Sequence, residues 1–483
     1  AVSDLFHLKS PRFRLFSIFV SFLVLALAVG GCATSQDSAD PIGLALAESA
    51  CPGEPVPTEL TVTCHRVSVD GASLSVAVLH APLPTGDPVL FLHGGPGGRA
   101  VADRNRWLVP RSGQLANHDV VLVDQRGGGD SRPSMDCPEM ERPHDQALAG
   151  DRSCRARLAE SGNDVSAVTV GQIAADLVAV RQALEIDHWH LHGVSFGTRV
   201  ALELMRTDGP AITSVVLDSV VPPNIDETAD LPAGIVAALT SLEEWCITRG
   251  SCTSGVLAPL RRILIRLDEN PVVVQVDESA SMTVDDTAFL GAVVRTLGRP
   301  DGPTVVPEAI LLADTNHLAE AMDQLSPVSQ GRSQFVGNEL TGYGAQSAGD
   351  ALAEGAWVGV TCGDQLPGMK FEVSNSDDPI HRAEQGRWVE LRARCAAWKV
   401  PPSDPTTRAP ISSSIPTLIL AGELDPITPA AWAKTVAEGL TDEETVIWFQ
   451  WTHAPSTWNQ CAAHLVTHFL DTGNRPDGSR TYC

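Results

Sequence analysis

Short apolar runs and longer amphipathic stretches alternate along most of this chain. The apolar runs have the length of buried strands, and they occupy residues 74–79, 88–93, 119–124, 188–193, 212–218, 417–421 and 445–450. Helical stretches lie between several of them, and the clearest covers residues 170–184, where Ile173, Leu177, Val180 and Leu184 recur at helical spacing. Alternating strands and helices predict an α/β fold with a mostly parallel sheet covered on both faces.

The pattern changes between residues 223 and 413, where helical segments such as 231–245 and 307–325 dominate. This change predicts a large, mainly helical cap domain inserted into the sheet domain. The predicted order is a lipoprotein-type signal peptide at 1–31, a tether at 32–50, the first part of the core at 51–222, the cap at 223–413 and the second part of the core at 414–483. A chain of 483 residues is long enough for one large core plus such an insertion.

One turn in this pattern carries a serine between two glycines. Residues 193–197 read G-V-S-F-G, directly after the apolar run that ends at His192 and directly before a helical run at 198–205. A sharp strand-to-helix turn of this kind pushes a serine hydroxyl out of the sheet, where a base can reach it. We therefore predict that Ser195 is a nucleophile; the alternative is a glycine-rich turn without chemistry.

A second glycine-rich loop follows the strand predicted at 88–93 and reads H-G-G-P-G-G from His93. Acyl-transfer enzymes need two backbone N–H groups that face the developing oxyanion. We predict the amides of Phe196, which follows the serine, and Gly95 as this oxyanion hole, with Gly94 as the alternative to Gly95.

A carboxylate and a histidine follow in the order that this chemistry needs in this kind of fold. Asp425 lies four residues past the end of the strand predicted at 417–421, and we predict it as the acid. Glu423 is a competitor. Asp218 also ends a strand-like run, and there we favour a role in capping the turn before Pro222.

The base is predicted to be His453, which follows the last apolar run by three residues. The other histidines beyond Asp425 are His464 and His468, four residues apart on a predicted terminal helix. They share one helix face and are better explained by packing or solvent contact.

The chain resembles the prolyl and tripeptidyl aminopeptidase branch of the α/β-hydrolases from about Cys51 to Cys483. The similarity lies in residues 93–97, in D-Q-R-G at 124–127, in the turn at 193–197, and in D-P-I-T-P at 425–429. The tail from Cys461 to Cys483 resembles the secreted tripeptidyl aminopeptidases. This resemblance implies an α/β-hydrolase fold and a serine exopeptidase that needs no cofactor.

The family pattern is not matched at every position. Phe196 stands where many relatives have tyrosine or tryptophan, and Thr452 and Ala454 flank the predicted base where relatives usually show glycine. Larger neighbours could displace the imidazole, and a catalytic group misplaced by about 1 Å can cost roughly a hundredfold in rate.

An aminopeptidase must also bind the free ammonium group of its substrate, which calls for carboxylates near the serine. Asp364 is our first candidate, because the family often has an acid just after the cysteine at 362. Glu339 is the second, and Thr428 is predicted either to line the pocket or to cap the following helix. For each of the two acids the alternative is a solvated surface carboxylate.

The eleven cysteines indicate an exported protein. A basic segment, an apolar segment at 15–29 and V-G-G-C at 29–32 resemble a lipoprotein signal, with Cys32 as the lipidated residue. An ordinary signal peptide or an uncleaved anchor is the alternative. Lipidation of Cys32 would leave ten cysteines, an even number that can form disulfides. Pairing of sequence neighbours predicts Cys51–Cys64, Cys137–Cys154, Cys246–Cys252, Cys362–Cys395 and Cys461–Cys483. Spacing alone leaves other pairings open, and no cysteine or histidine set has zinc spacing, so we predict no metal.

The net charge of −25 argues against nucleic acid as a partner. We expect short peptides as substrates, and membrane contact only through an N-terminal lipid anchor. The predicted function is release of N-terminal residues or short peptides through an acyl-enzyme. An esterase with the same triad and an inactive hydrolase scaffold that serves as a surface binding module are the alternatives.

Overall fold

The computed structural model describes residues 45–56, 60–105, 113–140, 147–250, 252, 255–275, 281–325, 352–371, 376–448 and 451–473. The predicted signal peptide and Cys32 lie outside these residues, as do most of the tether, Glu339 and Cys483. The described part of the chain contains no helix that is both long and apolar enough to cross a membrane.

Nine strands form one sheet, and two more form a separate hairpin. In chain order the strands are β1 Ala45–Glu48, β2 Thr61–Val69, β3 Ala72–His80, β4 Val89–Leu92, β5 Val120–Val123, β6 Trp189–Val194, β7 Ile212–Asp218, β8 Val272–Gln275, β9 Ser281–Val284, β10 Thr417–Gly422 and β11 Glu443–Trp448. The order in the large sheet is β1-β2-β3-β5-β4-β6-β7-β10-β11, and β8 pairs with β9. All seven predicted strands are present, and β1, β2 and the hairpin are additional.

The large sheet is antiparallel at one end and parallel over the rest. Strands β1, β2, β3 and β5 pair antiparallel in turn, whereas every pair from β5 through β4, β6, β7 and β10 to β11 is parallel. Strand β4 lies between β5 and β6, so the chain reverses direction across the sheet at this point. In open α/β sheets the crevice at such a reversal, outside the carboxyl ends of the strands, is where ligands bind.

The helices account for most of the remaining described residues. They are α1 Gln114–Asn117, α2 Ala147–Glu160, α3 Val170–Ala183, α4 Phe196–Thr207, α5 Glu227–Thr248, α6 Leu257–Glu269, α7 Asp286–Leu297, α8 Gly302–Asp314, α9 Leu318–Leu325, α10 Glu354–Val360, α11 Pro379–Trp398, α12 Ala430–Ala437, α13 Pro455–Trp458 and α14 Gln460–Thr472. The helix predicted at 170–184 is α3. Its N-terminus is capped by the side chain of Thr169, which accepts a hydrogen bond from Gln172 N.

Buried apolar side chains form separate clusters on the two sides of the predicted domain division. One cluster contains residues of α5 to α9 together with Ile380 and Ile427, and it lies apart from the clusters that flank the sheet. However, α10 and much of α11 pack into a sheet cluster through Trp357, Trp388 and Leu391. An inserted helical cap fits this division, and its limits at 223 and 413 stay a prediction.

Four of the five predicted disulfides are present: Cys51–Cys64, Cys137–Cys154, Cys246–Cys252 and Cys362–Cys395. Cys461 is also disulfide-bonded. Its predicted partner, Cys483, lies outside the described residues. The bridge between Cys362 and Cys395 joins the segment after α10 to the end of α11.

Candidate active site

Ser195 occupies a strained turn between β6 and α4. Its backbone angles, φ 54° and ψ −126°, lie outside the regions that L-residues normally adopt. The turn also brings α4 against β4, because a Cβ atom on Gly197 would lie 2.0 Å from the carbonyl oxygen of Leu92. Only glycine fits there, which explains the second glycine of the motif. The turn is held further by a 2.9 Å hydrogen bond from Ser195 N to the carbonyl oxygen of Asp218.

The glycine-rich loop after β4 lies directly beside this serine. A Cβ atom on Gly94 would lie 3.0 Å from Cβ of Ser195, so the two loops are in close contact. Gly95, with φ 121°, and Phe196 both line the same pocket as Ser195. The two predicted oxyanion donors are therefore brought to the serine.

His453 and Asp425 form a buried pair beyond the ends of β11 and β10. Nδ1 of His453 lies 2.8 Å from Oδ2 of Asp425, and both side chains are about 1% exposed. The same Oδ2 accepts hydrogen bonds from Oγ1 of Thr428 at 2.7 Å and from Oγ of Ser219 at 3.1 Å. Oδ1 accepts from the amides of Ile427 and Thr428 at 2.8 and 3.0 Å. The carboxylate is thus fully hydrogen-bonded and oriented toward the imidazole.

The two groups shift each other's pKa in opposite directions. Burial alone would raise the pKa of Asp425, but the nearby His453 and the donors around the carboxylate lower it below its ordinary value. Burial alone would lower the pKa of His453, but the charge of Asp425, the hydrogen bond to it and the charge of Asp218 raise it. The arrangement therefore favours an ionised acid and an imidazole that takes up a proton readily.

Asp218, weighed as an alternative acid, contacts the segment after the histidine. Its Oδ2 accepts a 2.8 Å hydrogen bond from Ser456 N, and its side chain is fully buried. Asp425 is the carboxylate that meets Nδ1 of His453.

The pocket in front of Ser195 has a cavity volume of about 90 Å³. Its walls are largely aromatic and aliphatic. The tryptophans that line it are Trp357, Trp388 and Trp432, and the polar side chains are those of Glu227, Thr361, Gln365, Arg387 and Thr428.

Glu227 is the pocket carboxylate that the sequence interpretation missed. It lies in the first turn of α5, and burial raises its pKa to about 7, although the charges of Arg199 and Arg387 act in the opposite direction. Arg387 itself is paired with Glu384 through two hydrogen bonds of 2.7 and 3.1 Å. The signal available in the sequence was an acid nine residues beyond the end of β7, at the start of the inserted helices.

Asp364 is not among the residues that line the pocket, contrary to the expectation for an ammonium ligand. Its carboxylate is fully buried and accepts hydrogen bonds from Val170 N at 2.9 Å and from Oγ of Ser403 at 2.5 Å. A third donor, Oγ1 of Thr407, lies at 3.4 Å. Both carboxylate oxygens are therefore hydrogen-bonded, and Asp364 connects the start of α3 to the loop before β10. This role is structural. Thr428 does line the pocket, and Glu339 lies outside the described residues.

Among the described residues, one set of potential metal ligands comes together: Cys137, Glu139 and Cys154. The two sulfurs form a disulfide with each other and so do not offer thiolates. This set therefore does not fit a metal ion, and the expected absence of a metal or cofactor at the serine stays a prediction.

Comparison with known families agrees with this architecture. Residues 87–245 match the model of the alpha/beta hydrolase fold, and residues 383–483 match the model of TAP-like proteins. The first match contains the turn at Ser195, and the second contains Asp425 and His453.

Curated relatives are similar over about a third of the chain. A probable proline iminopeptidase from Streptomyces coelicolor is 32% identical over 152 residues, which are 32% of this chain and 38% of the relative. A proline iminopeptidase from Arabidopsis thaliana is 30% identical over 134 residues, 28% of this chain and 27% of the relative. The matched part thus spans well under half the length of each of these relatives.

Among solved structures, a proline iminopeptidase from Mycobacterium smegmatis aligns with 84% of this chain and 97% of its own, at 16% identity and a TM-score of 0.42. The sheet order, the turn at Ser195 and the two family matches lead to one conclusion: the chain has the α/β-hydrolase fold, and its C-terminal region matches the model of TAP-like proteins.

Proposed function

We propose that this chain is a serine hydrolase that releases N-terminal residues or short peptides from peptide substrates through an acyl-enzyme. The observation that carries the proposal is the pocket in front of Ser195, which combines tryptophan walls with one half-buried carboxylate, Glu227. The similarity to proteins named proline iminopeptidases supports a peptidase over other α/β-hydrolases.

The proposed reaction uses Ser195 as nucleophile, His453 as base and Asp425 as the group that orients the base. His453 takes the proton of the Ser195 hydroxyl as its oxygen attacks the acyl carbonyl. The amides of Phe196 and Gly95 hold the resulting oxyanion. His453 then protonates the leaving amine, the C–N bond breaks, and a water deprotonated by His453 hydrolyses the ester and restores the Ser195 hydroxyl.

Glu227 is our proposed ligand for the substrate's free ammonium group. A charged amine entering a tryptophan-walled pocket loses hydration, and a carboxylate there replaces part of it. Bound ammonium would also lower the pKa of Glu227 from its value of about 7, because opposite charges favour each other's ionised forms. Substrates that carry a blocked amine would leave this carboxylate without a cation.

Export is part of the proposal, supported by four disulfides within the described residues. The lipid anchor at Cys32 is the proposed means of membrane attachment. Labelling with a radioactive fatty acid, with Cys32→Ala as the control, tests the anchor separately from activity.

The test of function is release of a fluorophore from free-amine and N-acetylated aminoacyl and tripeptidyl amides. We expect cleavage of the free-amine substrates alone, abolished in Ser195→Ala. Glu227→Gln should raise KM for free-amine substrates at least tenfold and change kcat less. Because Glu227 becomes ionised as the pH rises through about 7, KM of the unmodified protein should fall over the same range.

Glu203→Gln is the matched control, because Glu203 is likewise a glutamate with a raised pKa, but it pairs with Arg206 and is absent from the pocket lining. It should leave KM unchanged. Cleavage indifferent to acetylation would indicate an esterase or amidase instead. Absence of both cleavage and labelling by a fluorophosphonate probe would favour the inactive binding module.

A further inference from the structure

Two consecutive residues at the end of β7, Asp218 and Ser219, contact the segments of all three proposed catalytic residues. The carbonyl oxygen of Asp218 accepts a hydrogen bond from Ser195 N at 2.9 Å. Oγ of Ser219 donates to Oδ2 of Asp425 at 3.1 Å and accepts from the amide of Ala454 at 2.8 Å. One short stretch of chain thus joins the turn of the nucleophile, the acid and the loop of the base.

The backbone of Ser219 is strained, and this strain indicates that a side chain is required at this position. Ser219 is fully buried and has φ 58°, in the left-handed region that costs a residue with a Cβ atom about 1 kcal/mol or more. Its amide donates to the carbonyl oxygen of Leu420 in β10 at 2.9 Å. Glycine would adopt this conformation without the strain, so the side chain has to supply something that glycine lacks.

The hydroxyl supplies a donor and an acceptor at once. It donates to Oδ2 of Asp425, the same oxygen that lies 2.8 Å from Nδ1 of His453. Its lone pair accepts from the amide directly after that histidine. Acid and base loop are therefore tied through one buried oxygen atom, in addition to their direct contact.

We propose that Ser219 is a positioning residue of the hydrolase: its hydroxyl fixes the His453 loop against Asp425 and keeps the imidazole oriented for proton transfer. This inference rests on the proposed function. The acids that act on the imidazole are Asp425, from the loop after β10, and Asp218, from the end of β7. Ser219 contacts the first through its side chain and follows the second in the chain.

Ser219→Ala should lower kcat between about tenfold and a hundredfold, the range expected when a catalytic group is misplaced by up to about 1 Å. KM should change by less than about threefold, because Ser219 is not among the residues that line the pocket. The acid limb of the pH profile of kcat/KM should move to higher pH. With one donor fewer, the carboxylate of Asp425 interacts more strongly with the protonated imidazole.

Two further variants test whether the loss of activity comes from the missing hydroxyl. The first tests for an effect of backbone strain, and the second for a general effect of losing a buried hydrogen bond. Ser219→Gly removes the hydroxyl but relieves the strain, and it should be as impaired in kcat as Ser219→Ala. Ser214→Ala is the matched control, because Ser214 lies on β7, the strand that Ser219 directly follows, is buried, and has its Oγ 2.8 Å from Nδ1 of His190. It should leave kcat and the pH profile unchanged. Recovery of kcat in Ser219→Gly, or an equal loss in Ser214→Ala, would overturn the proposal.

A second readout does not depend on turnover. In the Ser195→Ala background, the far-downfield proton resonance of the His453 Nδ1–H group should shift or broaden when Ser219 is replaced by alanine, and should stay in place with Ser214→Ala. An unchanged resonance would overturn the positioning role. Absence of hydrolysis by the unmodified protein, together with a shifted resonance, would reject the proposed function but retain the positioning role.

Discussion

Ala454, next to the proposed base, adopts φ 59° and ψ 57°, a conformation in which glycine has no steric cost. The family resemblance leads to the expectation of glycine beside this histidine, and these backbone angles give a physical reason for that preference. The chain accepts the strain of alanine here, while the amide of Ala454 bonds to Ser219 and the imidazole remains 2.8 Å from Asp425. The departure from the family pattern therefore does not separate the acid from the base.

Asp218→Asn should move the acid limb of kcat/KM to lower pH. The charge of Asp218 raises the pKa of His453, so its removal lets the imidazole lose its proton at lower pH, where the neutral base becomes available. The amide oxygen of asparagine can still accept from Ser456 N. The measurement is the pH profile with a free-amine substrate, and a limb that stays in place or moves to higher pH would contradict the argument.

Residue types and order were sufficient to predict the sharp turn that carries Ser195 and the contact between Asp425 and His453, because each of these residues follows a strand at the same edge of a parallel sheet. They were not sufficient for Glu227 or Asp364. Whether an acid faces a pocket or a helix N-terminus depends on packing between segments far apart in sequence, as in the bond from Val170 N to Asp364.

At the scale of elements, the ends of β4 and β5 are held together by Asp124. This fully buried carboxylate accepts hydrogen bonds from Val101 N and Asp130 N, both at 2.9 Å. It thereby connects the loop after β5 to the glycine-rich loop that carries Gly95. Burial raises the pKa of Asp124 to about 7, despite these two amide donors.

The Asp124→Asn variant should gain stability against unfolding, relative to the unmodified protein, as the pH rises from 5 to 8. The folded protein keeps a proton on Asp124 up to about pH 7, whereas the unfolded chain releases it near 3.8. The contribution of Asp124 to stability is therefore greatest at low pH and decreases by at most about 1.4 kcal/mol per pH unit until pH 7. Thermal unfolding at several pH values measures this, and a Tm difference independent of pH would exclude the raised pKa.

The hydrophobic pattern predicts some strands of this fold and misses others. Strands β3 to β7 and β10 consist almost entirely of buried positions, and all of them were predicted. Strand β2 was not, because it reads T-V-T-C-H-R-V-S-V, without a continuous apolar run, and most of its positions are exposed or only partly buried. The hairpin of β8 and β9 was also missed, since its residues are mostly exposed and lie outside the large sheet.

At the scale of the whole molecule, the disulfide between Cys362 and Cys395 links two segments that both line the pocket. Thr361 and Gln365 flank the first cysteine, and Arg387 and Trp388 lie two turns before the second. The bridge closes a sequence separation of 33 residues, for which chain entropy predicts about 3 to 4 kcal/mol of stabilisation.

Replacing Cys362 and Cys395 together by alanine should therefore lower the free energy of unfolding by about 3 kcal/mol and raise KM. The double alanine variant of Cys246 and Cys252, six residues apart and remote from the pocket lining, should lose less stability and keep its KM. Denaturant unfolding and steady-state kinetics provide the two measurements. Equal effects of the two variants on KM would show that the first bridge does not shape the pocket.

Strands β7 and β10 are neighbours in the sheet, although about two hundred residues separate them in the chain. Within the described part of the chain between them, no residue adds a strand to the large sheet, so we expect that the length and sequence of this insert can change without shifting the register of the sheet. We therefore expect that evolution can alter the pocket walls that this insert supplies, such as Trp357 and Trp388, without altering the strands that carry Ser195 and Asp425. For protein engineering, we expect that grafting this insert between relatives transfers substrate preference as a unit.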